Sequence, residues 1–133
     1  MNTRQTLKRT GMPALSFEGE LIASSGERPD LPAPTRWYHF DLYQCDLTTD
    51  TFVLHIQYQT ENKREQDRTD VLIGEPSELV DECLDYDWME NVQDFPQQEK
   101  WDARREDRRF KVINYTETSL SQLWAEAEMT EEL

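Results

Sequence analysis

The sequence predicts an α+β fold: a single antiparallel sheet of about four or five strands with two or three short helices, one packed on the apolar sheet face. Three observations carry this. Residues 36–46 and 51–60 are adjacent segments rich in aromatic and β-branched residues. A loop punctuated by Gly26, Pro29, Pro32 and Pro34 precedes them, and apolar residues recur at helical spacing after 78 and after 119. The chain of 133 residues suits one domain and can bury a core without metal or disulfide staples.

Residues 1–12 are polar and basic and lack periodicity, so a flexible N-terminal segment is expected there, with 13–133 forming a single α+β domain. Leu15, Phe17, Leu21 and Ala23 alternate, with Gly19 in register, and mark a first strand over Ala14–Ala23. Gly19 suits a bulge or a close backbone approach. Residues 24–35 are a loop. In the next two strands, a connection of odd length places Tyr38, Phe40 and Leu42 on one face with Phe52, Leu54, Ile56 and Tyr58. Trp37, His39, Asp41, Tyr43, Val53, His55, Gln57 and Gln59 then share the other face, which is expected to be partly exposed or covered by a helix.

Thr69–Ile73 reads as a fourth strand, stopped by Gly74 and Pro76. Ser77 is the expected cap of a short helix with Leu79, Val80, Cys83 and Leu84 inward and Asp81, Glu82 and Asp85 outward. Residues 86–98 look irregular, and 101–109 suit a short helix or a charged turn. Phe110–Tyr115 alternates and is assigned a fifth strand. Thr118 is the expected cap of a last helix carrying Leu120, Leu123, Trp124 and Ala127 inward.

The formal charge is −14. Self-repulsion on that scale opposes compaction and makes nucleic acid an unsuitable main ligand. A basic island of Lys100, Arg104, Arg105, Arg108, Arg109 and Lys111 is diluted by Asp102, Glu106 and Asp107 and adjoins the acidic block 75–99, which points to internal pairing with those carboxylates and away from phosphate binding. Two cysteines, Cys45 and Cys83, do not make a disulfide framework. The start carries no signal-peptide pattern and no apolar run suits a membrane span, so a cytoplasmic protein is expected.

Catalytic patterns are weak. His39, Asp41 and His55 share a sheet face, but side chains along a strand splay apart, whereas zinc needs three or four ligands converging at about 2.0–2.3 Å. Pro29-Asp30 with Glu61-Asn62-Lys63 mimics a Mg²⁺-dependent nuclease pattern, yet both pieces fall in loops where nothing rigid holds them. A calcium loop counted from Asp85 fails, because Glu90 stands where Gly is needed and Pro96 where Glu is needed. No motif argues for a cofactor, a metal or catalysis.

The remaining signal is the segment 75–99, with nine carboxylates and no Lys or Arg. Tyr86, Trp88 and Phe95 lie within it, which distinguishes it from a disordered acidic tail. The expected function is a non-enzymatic binding protein that docks on a basic, nucleic-acid-binding surface of another protein. It would act as a nucleic-acid mimic, an inhibitor or regulator of the kind that phages and mobile elements encode. The expected partner-binding residues are Glu78, Asp81, Glu82, Asp85, Tyr86, Asp87, Trp88, Glu90 and Asp94. The alternative is a non-catalytic accessory subunit that binds through Trp37, His39, Tyr43 and His55 on the aromatic sheet face.

Overall fold

The computed structural model describes residues 3–30, 35–46, 50–90 and 103–129, with side chains in the last stretch from 111 onward. An antiparallel meander in the order β1-β2-β3-β4-β5 is built from Arg4–Arg9, Met12–Ser25, Arg36–Cys45, Phe52–Thr60 and Arg68–Gly74. Two helices follow, α1 over Pro76–Asp85 and α2 over Ala103–Glu126. The fold is of the α+β class.

The β3–β4 register is the one the apolar pattern requires. Tyr38 lies opposite Tyr58, Phe40 opposite Ile56, Leu42 opposite Leu54 and Gln44 opposite Phe52. Opposed residues in an antiparallel ladder share a face, so Tyr38, Phe40, Leu42, Leu54, Ile56 and Tyr58 all enter one buried cluster. Leu79 and Cys83 of α1, Trp88, and Val112, Leu120 and Leu123 of α2 belong to the same cluster. In the turn that joins the two strands, an odd-length loop suits Asp50 or Thr49 in the left-handed conformation, but Asp50 does not take a positive φ and Thr49 lies outside the described residues.

The other sheet face is covered by the sheet itself. Residues 4–9, which carry no strand periodicity, form β1 and pair with the first half of β2. The second half of β2 pairs with β3, and the register shifts between Leu21 and Ala23. Such a bulge bends a strand and increases its twist. At the point where β2 passes from one partner to the next, a Cβ on Gly19 would stand 2.6 Å from the Gln44 carbonyl oxygen, so only glycine allows this approach. The sheet therefore curls until Thr10 reaches β5, where its N–H donates to the Thr69 carbonyl at 2.9 Å. Leu7, Tyr43 and Val53 form a small second core inside the curl, with Leu15, Phe17, Cys45 and Val71 packed against it.

Several expected elements differ. The assigned strand Phe110–Tyr115 lies inside α2, because buried Val112, Thr116, Leu120 and Leu123 repeat at helical spacing across it. A six-residue alternation is too short to outweigh that longer pattern. Thr118 is therefore no cap, and its hydroxyl donates to the Asn114 carbonyl one turn back at 2.9 Å. The cap of α1 is Glu75, not Ser77, with Pro76 at the first helical position. Leu84, expected inside, is 77% exposed. Trp101 and Phe95 lie outside the described residues.

A buried ion pair closes the open end of the β3–β4 ladder. Arg36 Nε donates to Glu65 Oε2 at 2.8 Å, with the two side chains 5% and 0% exposed. Glu65 also accepts from the Tyr58 hydroxyl and from Thr60 Oγ1. Removing one partner of such a pair strands a buried charge, so Glu65→Ala should destabilise the fold by about 3–5 kcal/mol in urea unfolding. The double replacement Arg36→Met with Glu65→Leu should recover most of that loss. An equal loss in both variants would contradict this account.

Candidate functional site

The acidic face is assembled on α1 and the turn after it. Gly74 ends β5, Glu75 takes an extended conformation at the helix cap, and its N–H donates to Glu78 Oε1 at 3.1 Å. Glu78, Asp81, Glu82 and Asp85 then fall at i, i+3, i+4 and i+7 and form one exposed stripe, opposite buried Leu79 and Cys83. Burial pushes the Cys83 thiol up to about 12, which makes it an inert core group.

This arrangement works against the helix. Each i,i+3 or i,i+4 pair of like charges costs about 0.2–0.5 kcal/mol. No basic residue stands in the last turn of α1, where the carbonyl ends carry partial negative charge and Asp85 adds more. Among the described residues, no Lys or Arg is ion-paired with these carboxylates.

The aromatic residues of the segment hold the chain after α1 to the core. The Trp88 ring is 9% exposed and meets Tyr38 and Phe40 edge-on at 4.9 and 5.6 Å between centroids. The Tyr38 hydroxyl donates to the Trp88 carbonyl at 2.7 Å. Tyr86 is half-buried against Trp88 and donates to Asp70 Oδ2 at 3.2 Å. Burial and the Asp70 charge raise its pKa, which keeps the hydroxyl protonated as a donor. Asp87 and Glu90 are exposed beside them, so a continuous run of carboxylates passes from Glu78 to Glu90. Asp94 lies outside the described residues. What this region offers a partner is charge, because the Trp88 ring is already enclosed.

A groove of about 960 Å³ lies beside this face, between the start of α1 and the end of α2. Phe52, Val80, Trp124, Ala127 and Met129 line it together with the acidic Asp50, Glu75 and Glu128. Its shape depends on how α2 ends. The Met129 N–H donates to the Trp124 carbonyl at 2.9 Å and the Glu128 N–H to the Ala125 carbonyl at 3.1 Å, so the chain folds back over the last turn. Glu128 has φ 57, the only positive φ at a non-glycine position among the described residues. Glycine is usual there, and a residue with a Cβ costs about 1 kcal/mol more. Sequence reasoning missed this groove, because Phe52, Val80, Trp124 and Ala127 read as inward core positions and nothing in the sequence shows that they stay partly open.

The other candidates are occupied. His39 Nε2 lies 3.1 Å from Asp41 Oδ1 and its Nδ1 lies 3.2 Å from the Gly26 carbonyl oxygen. Asp41 also accepts from Ser24 at 2.6 Å and from Gln57 at 2.8 Å. His55 Nε2 is 3.2 Å from the Lys8 carbonyl oxygen, and both His55 and Tyr43 are buried under β1. That cover, a strand and not a helix, takes up much of the aromatic face considered as an alternative interface. Glu61 is held by two 2.9 Å bonds from Arg28 and one of 3.0 Å from the Thr35 N–H, which engages the carboxylate of the nuclease-like pattern. Among the described residues, no group of three or more His, Cys, Asp or Glu side chains could hold a metal ion. No described helix is long and apolar enough to cross a membrane. Comparison with known proteins adds nothing further: no family model, no curated protein and no solved structure matches the chain.

The polar network makes a pH prediction. The Asp41 hydrogen bond raises His39 above its ordinary 6.5, whereas burial lowers His55 below it. His39 thus contributes stability that is complete below pH 6.5 and lost as pH rises through its folded value. His55 does the reverse, and its contribution is lost as pH falls below 6.5. Burial opposes ionisation of Asp41, but hydrogen bonds from His39, Ser24 and Gln57 hold it at about 2. NMR titration should place one imidazole on each side of 6.5, and Asp41→Asn should lower both while costing about 2 kcal/mol at neutral pH. Two coincident titrations would contradict the hydrogen bonds described.

Proposed function

We propose that this is a non-catalytic binding protein whose acidic face, Glu78, Asp81, Glu82, Asp85, Asp87 and Glu90, docks on a basic surface of a partner protein, one built to bind nucleic-acid phosphates. The observation that carries this reading is the electrostatic strain of α1. Solubility alone is served by carboxylates placed anywhere on the surface. Here four stand on one helical stripe, repel one another and find no described basic partner, and Asp85 adds its charge to the negative end of the helix. A cationic surface relieves all of these costs at once, and regularly spaced negative charge is what a phosphate-binding groove accepts.

On the opposite side of α1 from that face, Leu79 and Cys83 join the buried cluster of the sheet. We infer that α2 lies on the apolar sheet face. Leu120 and Leu123 share the buried cluster of Phe40 and Leu42, and the Ser25 hydroxyl donates to the Ser119 carbonyl at 2.6 Å. The cytoplasm is the setting proposed, in a contest between a phage or mobile element and its host. Affinity purification from the source cell that returns only membrane or extracellular proteins would refute that setting.

Replacing Asp81, Glu82 and Asp85 together by Lys should abolish capture of the co-purifying basic partner. It should also raise the melting temperature, because repulsion is removed. Binding of the unaltered protein should fall steeply with salt, since the screening length shrinks from about 8 Å at 0.15 M to about 3 Å at 1 M. Normal capture by the triple variant would end the acidic-face reading, and loss of capture in Trp37→Ala would then favour the sheet face. Catalysis is tested separately. Nucleic-acid cleavage with Mg²⁺ that disappears in Glu61→Ala would show a nuclease and overturn the non-catalytic assignment.

A further inference from the structure

We propose that the groove between the start of α1 and the end of α2 receives an apolar anchor carried on a basic amphipathic segment of the partner protein. This rests on the docking reading above and supplies the apolar contact that the acidic face lacks. Charge alone gives rate and specificity more than affinity, and tight interfaces concentrate energy in a buried apolar anchor.

The groove meets that need. Phe52, Trp124 and Met129 are packed against the main core on one side and remain partly open on the other. Val80 lines the groove, and Leu84, one helical turn further along the same side of α1, is 77% exposed. Val80 and Leu84 therefore form a short apolar line on α1 that starts in the groove and leaves it beside Asp85. That continuity gives the exposed Leu84 a role that a solvated helix face does not.

Charge selects the occupant. Asp50, Glu75 and Glu128 are among its lining residues, and no Lys or Arg lines the groove among the described residues. A second copy of the chain would bring another −14 to this lining, and an acidic or neutral peptide would leave it uncompensated. A helix with an apolar anchor flanked by Lys or Arg fills the floor and neutralises these carboxylates together. Glu128 fits the same logic: glycine would relax its backbone at φ 57, yet a residue with a carboxylate lines the groove there.

The probe is a short synthetic Lys/Arg-rich amphipathic helix with one Leu anchor, compared with the same peptide carrying Ala at that position. The Leu peptide should bind at least about tenfold tighter, as burial of one such side chain predicts. Leu84→Gln, at an exposed position, and Ala127→Gln, which narrows the groove, should each erase that difference and leave the weak, salt-sensitive binding of the Ala peptide unchanged. Glu128→Gly should raise the melting temperature while weakening the Leu peptide several-fold, a pairing that no general loss of folding produces. Equal binding of both peptides, abolished by the triple Lys variant, would overturn the groove and keep the acidic face. No binding of either peptide would overturn both. Dimers that dissociate on Ala127→Gln would assign the groove to a second copy. A chain ending at Met129 that binds the Leu peptide about tenfold better would assign it to the chain's own last residues. Either result overturns the proposal.

Discussion

The pairing of Tyr38 with Tyr58 is the constraint from which most of the structure follows. In an antiparallel ladder one such pair fixes every other, and a slip of one residue would turn each side chain to the opposite face. With this pairing, six large apolar residues enter the main cluster, and His39, Asp41, Tyr43, Val53 and His55 turn together to the other side. The second face then needs its own cover, which the bent β2 supplies by carrying β1 over it. The buried Arg36–Glu65 pair sits at the end of the same ladder and is bonded by Tyr58, a member of the deciding pair. The hairpin thus organises both cores and the one fully buried charge pair among the described residues.

The hairpin was legible because its pattern is strict and only one register satisfies it. Elements without such redundancy were not. β1 offers Leu7 as its one buried side chain, so nothing in residues 4–9 signals a strand, and its place is set by β2. The strand expected at 110–115 had a short alternation in its favour, and a helical repeat twice as long decided against it. Glu65 sits in a turn of charged residues and reads as solvated. Its burial depends on Arg36 and Tyr58, which only the folded chain brings to it. The acidic stripe could be read from the spacing of α1 alone. The aromatic residues beside it could not, since sequence does not distinguish an aromatic side chain waiting for a partner from one already enclosed by Tyr38 and Phe40.

The acidic region therefore separates into two physical roles along a few residues. Tyr86 and Trp88 hold the chain after α1 against the sheet, and the carboxylates between and before them face water. Rigid support for closely spaced like charges is costly, because a flexible segment would relax by spreading them. Here the helix, its Glu75–Glu78 cap and the aromatic pins prevent that relaxation. A negative field held in place by the fold carries no ordering cost of its own.

The curl of the sheet has a consequence for solubility under stress. The outer strands of an open sheet expose unpaired backbone groups that can recruit strands from other molecules. Here β1 and β5 are the outer strands, and the exchange between Thr10 and Thr69 brings them against each other, with the Thr69 N–H satisfied by the Thr10 hydroxyl at 2.8 Å. The sheet shields part of its own edge, as a barrel does by closing completely. A chain whose charge already resists compaction is thus also guarded, while folded, against the strand-by-strand association that seeds amyloid.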